Sequence, residues 1–349
     1  MQNIAGAREF ELLLNESVTA GDLLKFLTPP THFSHSTFEN FRPDIHHPSQ
    51  LEAVHLLQRF VRQGPAQPRS FFNTLVGRAK PTAGRGVYLD GGFGVGKTHL
   101  LAAAYHAYEG RKAYLTFQEL MFLVGLQRLD VTMSSLANYH LLAIDEFELD
   151  DPANTRIAST LLGGLMNLGV YVITTSNTPP GSLGKDRFST GDFKRELTQL
   201  SERFIQVRID GEDYRHTHHA DDHTPQTWLR PEAAQALERF NGNSAQHLRL
   251  NFDELQQQLA SAHPIRVRKA IEIFDALTIS NLSAFTHPHD ALRFVYFIDK
   301  VYDSDIQLMI TSLLQPDELF PRSLTTGGDN KKYLRTVSRL TELTHTKSN

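Results

Sequence analysis

Residues 91 to 98 read Gly-Gly-Phe-Gly-Val-Gly-Lys-Thr, a complete G-x-x-x-x-G-K-T pattern whose chemistry is the cradling of phosphate. Gly91, Gly92, Gly94 and Gly96, with Phe93 and Val95 between them, let the backbone curl until successive N–H groups point at phosphate oxygens. The N-terminus of a following helix adds the positive end of its dipole. Lys97 is the cation for β- and γ-phosphate charge, and Thr98 offers a hydroxyl to Mg²⁺. A glycine-rich turn without a ligand could share this composition, so the flanks matter. Residues 86 to 90, Gly-Val-Tyr-Leu-Asp, read as a short apolar strand, and 99 to 108 as an alanine- and leucine-rich helix. Strand, loop and helix in that order predict a nucleoside triphosphate site.

A second element supplies carboxylates. Residues 139 to 147, Tyr-His-Leu-Leu-Ala-Ile-Asp-Glu-Phe, form an unbroken apolar run that suits a central parallel strand covered on both faces. It ends in Asp145-Glu146, at the rim where open α/β sheets bind ligands. Asp145 is placed to orient Mg²⁺ through its water shell, and Glu146 to polarise a water for attack on the γ-phosphate. A third strand, 170 to 175, leads to Asn177, which either hydrogen-bonds the attacking water or γ-phosphate or begins the turn into Pro179-Pro180.

The elements that must position these groups alternate along the chain. An amphipathic helix is expected over 49 to 62, capped by Ser49, with strands at 113 to 117 and 204 to 209 and helices at 118 to 127 and 154 to 168. This alternation predicts a doubly wound parallel sheet. Residues 1 to 48, broken by Pro29-Pro30, Pro43 and Pro48, are expected to be irregular. The ATPase core is expected over 49–215, a polar His-rich loop over 216–230, and a mostly helical subdomain over 231–349.

Composition excludes several classes. The 349 residues carry a formal net charge of -4 and no cysteine, which removes disulfides and thiolate metal sites and gives no global attraction to nucleic acid. The apolar stretches are shorter than the ~20 residues that span a bilayer. Glu9 and Glu11 around Phe10 suit neither a secretory signal nor a mitochondrial presequence, so a cytoplasmic protein is expected.

With loop, acidic strand and Asn177 together, the chain resembles AAA+-type P-loop ATPases, and more closely the AFG family over about residues 40 to 345. Beyond the core, Asp213-Tyr214-Arg215, Arg293-Phe294 with Ile298-Asp299 and Tyr302-Asp303, and Arg335-Thr336-Val337-Ser338-Arg339-Leu340 are similar to that family's own pattern. The resemblance implies ATP hydrolysis with Mg²⁺ and, in the bacterial branch, an influence on the tubulin-like division protein FtsZ. It further implies an ATP-dependent homo-oligomer whose site is completed by a neighbour's arginine, for which Arg187 and Arg203 are both candidates. Gln50 either resembles the position before the core that in the family contacts adenine, or simply starts a solvated helix.

Two further clusters of polar side chains stand outside this pattern. His216, His218, His219, Asp221, Asp222 and His223 lack helical ligand spacing and read as a mobile polar loop rather than a metal site. Arg266, Arg268 and Lys269, with Lys331, Lys332 and Arg335, lack interleaved aromatics, so a solvated face is favoured over nucleic-acid binding. The expectation is an ATPase acting on a protein partner; the competing class is a nucleic-acid-linked loader or transposition-helper ATPase.

Overall fold

A computed structural model describes residues 2–16, 19–25, 27–63, 86–149, 152–179, 201–212, 227–231, 246–262, 264–304, 306–325 and 330–345. The chain forms two compact units, one of residues 19–29 and 33–214, the other of residues 1–18, 30–32 and 215–349.

Helix α1 (Gln2–Asn15) opens the chain and belongs to the second unit. This corrects the expectation of an irregular N-terminus. No proline precedes Pro29, and Phe10 and Leu14, one turn apart, are both buried, so a helix forms where prolines further along offer no obstacle. Helices α2 (Ala20–Lys25) and α3 (Pro48–Gln63) follow. Ser49 lies inside α3 and does not cap it: its hydroxyl accepts from the Asp210 N–H at 2.9 Å.

The first unit is built on β1 (Gly86–Gly91), α4 (Lys97–Ala107), β2 (Lys112–Thr116), α5 (Phe117–Gln127), α6 (Leu129–Leu136), β3 (Leu141–Asp145), α7 (Pro152–Asn167), β4 (Tyr171–Ser176) and β5 (Phe204–Ile209). The five strands are parallel in the order β2-β3-β4-β1-β5, as the alternation predicts. Burial on both faces explains the apolar runs of the central strands, whereas the edge strand β5 leaves Ile205, Gln206 and Arg208 exposed. On one face Val87, Leu89 and Ile173 pack with Leu100, Leu101 and Ala104 of α4 and Leu57 of α3. On the other, Tyr88, Ile144 and Val172 meet Leu120, Leu161 and Leu165. Thr116 ends β2 and caps α5 in a reciprocal box with Glu119, satisfying two otherwise orphaned donors.

The second unit continues with β6 (Trp228–Leu229), β7 (His247–Asn251), α8 (Phe252–Ser261), α9 (Pro264–Ile271), β8 (Ala276–Leu282), α10 (Pro288–Asp303), β9 (Gln307–Ser312) and α11 (Asn330–His345). It is rich in helix, as expected, and also carries a parallel four-stranded sheet, β6-β9-β8-β7, that the sequence did not reveal. The apolar segment 291–314 divides between most of α10 and the strand β9. Residues 1–18 join this unit rather than standing apart, because Phe10 packs edge-on against Phe274 and Phe297. The basic run of α9 is engaged there too. Arg266 donates to the Leu14 carbonyl at 3.0 Å and Lys269 pairs with Glu16 at 2.5 Å, holding the C-terminal end of α1, while Arg268 pairs with Glu272 at 2.9 Å.

Candidate nucleotide site

The loop between β1 and α4 is shaped by contacts only glycine permits at two points. A Cβ on Gly91 would lie 2.2 Å from the Ile209 carbonyl oxygen on β5, and one on Gly96, at φ 87°, would lie 2.5 Å from the Phe41 ring. Gly96 also serves as the residue before α4, and its carbonyl accepts the first helical bond, from Leu100. Val95 is buried beneath the loop, and Gly92, Phe93 and Gly94 are open or half-open above it. Lys97 folds back across the loop, donating to the carbonyls of Gly91 at 3.1 Å and Gly92 at 2.5 Å. A phosphate group competing for this ammonium would replace neutral acceptors with charged ones, a stronger bond.

The expected metal-binding pair meets across two elements. Thr98, in the first turn of α4, donates from Oγ1 to Asp145 Oδ1 at 3.3 Å, so a hydroxyl and a carboxylate 6% exposed converge beside the loop. An all-oxygen donor set of this kind suits Mg²⁺, which keeps several waters and takes few protein ligands. Asp145 is further held by Tyr114, whose hydroxyl donates to Oδ2 at 2.9 Å, and by a short hydrogen bond from Thr175 Oγ1. Thr175 also accepts from the Glu146 N–H at 3.0 Å, and its carbonyl accepts from the Phe147 N–H at 2.7 Å.

Glu146 therefore leaves β3 on a pinned backbone. Its φ is 52°, a conformation that costs a non-glycine residue free energy and persists only where neighbours enforce it. Here Thr175 and the Asp145 carboxylate enforce it. Asn177 lies just past β4, as expected, and donates from Nδ2 to Glu148 at 3.0 Å. The turn beyond it is tied down by Tyr88, whose hydroxyl donates to the Thr178 carbonyl at 2.8 Å. Burial pushes that phenol above its ordinary pKa, with the Ser176 hydrogen bond opposing and Asp90 and Glu148 adding to the rise.

Other predicted positions fall elsewhere. Gln50 is buried, so a solvated helix start is ruled out. Its amide donates to the Asp210 carbonyl at 3.0 Å and accepts from the Asp44 N–H at 2.8 Å, and a Cβ on Gly211 would touch both Gln50 and Val95 of the loop. Arg203 sits at the amino end of β5, its carbonyl bonded to the Gly86 N–H at the start of β1, about 16 Å of strand from the loop. Its guanidinium bonds to Asn167 at 2.7 Å and to the Gly163 carbonyl at 3.3 Å, closing the end of α7. Arg187, Asp151, Pro180, residues 213–215 and the His-rich cluster lie outside the described residues. Among the described residues no group of side chains has the makings of another metal site, and no helix is long and apolar enough to cross a membrane.

Thr175 and Tyr114 were missed as site residues. Thr175 belongs to the family pattern, yet its partner lies thirty residues away on the next strand. Tyr114 left a weaker trace: a hydroxyl inside an apolar strand must find an acceptor.

A parallel sheet in which β4 separates the loop strand from the acidic strand, with the glycine loop, Thr98, Asp145 and Glu146 at its carboxyl rim, defines a P-loop NTPase of the AAA+ type. The chain belongs to the AFG1-like ATPase family, whose sequence profile matches residues 19–270 and 239–348. It is 25% identical over 348 residues to the cell division protein ZapE of Escherichia coli K12, covering 84% of this chain and 89% of that one. It is 24% identical over 313 residues to lactation elevated protein 1 homolog B of Danio rerio, covering 73% of this chain and 61% of that one. Among solved structures it is similar to DnaI, with 18% identity, TM-score 0.41, and 53% and 93% of the two chains covered. It is also similar to AMPPCP-bound DnaA from Aquifex aeolicus, with 16% identity, TM-score 0.39, and 62% and 57% covered.

Proposed function

We propose that this protein binds Mg²⁺-ATP and hydrolyses it to ADP and phosphate in order to regulate a protein partner in cell division. The observation that carries the chemistry is the pinned Asp145-Glu146 pair, tied by Thr175 and Thr98 to the mouth of the glycine loop. The loop amides and Lys97 hold the β- and γ-phosphates. Thr98 and Asp145 hold Mg²⁺, which supplies charge neutralisation at the phosphates. Glu146 accepts the proton of the water that attacks the γ-phosphorus, as the bond to the bridging oxygen breaks and ADP leaves. Asn177 turns from Glu148 to orient that water or the γ-phosphate, and Gln50 faces the base end of the site beside Val95.

The cell-division reading rests on the family and on the ZapE relative; by family resemblance the partner is FtsZ and the setting the cytoplasm. An ATP-dependent homo-oligomer follows from the same resemblance. Arg203 lies too far from its own loop to act there, so any role it has in hydrolysis is in a neighbour's site, as is proposed alternatively for Arg187. The nucleic-acid loader reading loses support from Arg266 and Lys269, which hold the end of α1, and from Arg268, which pairs with Glu272.

Glu146→Gln is the deciding variant. It should retain Mg²⁺-ATP and hydrolyse it roughly 10²-fold more slowly, trapping any partner complex for pull-down. Hydrolysis at the wild-type rate would remove Glu146 from the chemistry. Salt-sensitive DNA binding in place of protein capture would favour the loader.

A further inference from the structure

The base of the loop holds a charge that the hydrolysis scheme leaves unused. Asp90, the last residue before Gly91, is only 4% exposed. It lies in register with Ser176 on β4 and Arg208 on β5, on the same rim as the loop. A buried anion at this place opposes the binding of a polyphosphate. Its pairing is incomplete. Arg208 Nη1 stands 3.8 Å from Asp90 Oδ2, while Arg208 Nε makes a 2.8 Å bond to Asp210. The arginine is thus shared between two carboxylates, is itself 64% exposed, and gives the buried one the looser contact.

Asp90 cannot retreat. Gly91 is pressed so closely against the Ile209 carbonyl that no side chain fits between them, and β1 is hydrogen-bonded on both sides at this point. Burial raises the Asp90 pKa, while Arg208 and Lys97 both act on it to lower it. Lys97 therefore feels the same carboxylate while it rests on the Gly91 and Gly92 carbonyls.

Resting on the nucleotide-loop reading above, we propose that Asp90 is a positioning residue that lowers nucleotide affinity and speeds ADP release, by opposing the phosphates and retaining Lys97 at the loop, with Arg208 partly offsetting its charge. A group kept only for structure would not strengthen binding when neutralised.

The test is titration of the full-length protein with a fluorescent ADP analogue, with stopped-flow dissociation and steady-state ATPase rates. Asp90→Asn should bind ADP about tenfold more tightly, the scale of one unit charge acting across about 10 Å near a protein surface. It should release ADP correspondingly more slowly and show a lower KM without a rise in kcat. Arg208→Gln, an exposed change that keeps the fold, should shift affinity in the opposite direction by about threefold or more. Equal or weaker ADP binding by folded Asp90→Asn overturns the proposal. If that variant does not fold, Arg208→Gln decides alone, and wild-type affinity there overturns it. A wild-type protein that binds no nucleotide, indistinguishable from Lys97→Ala, would defeat the loop reading itself, whereas wild-type binding with the wrong sign in the variants defeats only the role of Asp90.

Discussion

The described residues form two parallel sheets flanked by helices, and of these the first carries the proposed nucleotide site. Both use the same local device where a strand passes into a helix: Thr116 with Glu119 in the first unit, and Asn251 with Glu254 in the second, form reciprocal caps. The difference lies in what the polar residues at the carboxyl ends of the strands do. In the first sheet Thr98, Thr175 and Tyr114 converge on one carboxylate beside a glycine loop. In the second they satisfy the backbone around them. Thr311 accepts from the Asn281 N–H at a strand irregularity, and Ser312 joins the Leu282 carbonyl to the Leu314 N–H. A parallel sheet offers a rim; the side chains on that rim decide whether it is a site or a brace.

One charge cluster of the second unit lies between helices. Asp299 on α10 meets both Arg335 and Arg339 of α11, all three at most 12% exposed, and Arg339 also lies over the Tyr302 ring at 4.9 Å. These residues lie in the segments whose sequence resembles the family's pattern outside the ATPase core. In this structure they join α10 to α11.

The contrast between site and brace can be broken by substitution. Lys97→Ala should have the largest effect, abolishing measurable ATP binding because it removes the loop's own cation, while the melting temperature without nucleotide stays close to wild type. Retained affinity in an equilibrium titration would end the assignment of the first rim as the site. Asp299→Ala should act in the opposite way, costing about 3–5 kcal/mol of stability by leaving two largely buried guanidiniums without their shared carboxylate. Urea unfolding would measure this, and a loss under about 1 kcal/mol would show that the cluster is not a brace.

Thr175→Val tests the support beneath the chemistry. It removes the donor to Asp145 and the acceptor for the Glu146 N–H, and should lower kcat about 10- to 100-fold with a smaller change in ATP affinity, the usual scale for a supporting partner of metal-binding groups. An unchanged kcat would mean that the Asp145 carboxylate holds the left-handed turn at Glu146 without help from Thr175.

The smallest effect concerns pH. Burial first, and the nearby Arg249 second, hold the His247 imidazole down at about 4 from an ordinary value near 6.5. The unfolded chain therefore takes up a proton before the folded one, so this contribution is whole above about pH 6.5 and declines as pH falls from there through about 4. His247→Gln should flatten that part of the stability profile. Urea midpoints at pH 7 and 5 that fall equally in both proteins would assign the acid limb to other groups.

Much of the first unit was legible because its signals are local. The glycine loop needs particular residues at fixed offsets, and unbroken apolar runs announce buried parallel strands, so Lys97, Thr98, Asp145, Glu146 and the five strands could be placed from the chain alone. Helix α1 leaves a local signal too, since no proline precedes Pro29. The sheet of the second unit was harder to see: β6 is two residues long, and β8 and β9 stand among stronger helical patterns.

Tertiary structure alone decided who meets whom. Thr175 reaches Asp145 because β4 lies beside β3, Arg208 faces Asp90 because β5 lies beside β1, and Gln50 meets Asp210 across 160 residues of sequence. Strand order arises from the packing of whole elements, and no spacing along the chain encodes it. The amino-acid sequence set the chemical groups and the local backbone that bears them. The fold chose their partners, and with them which of two similar rims became a site.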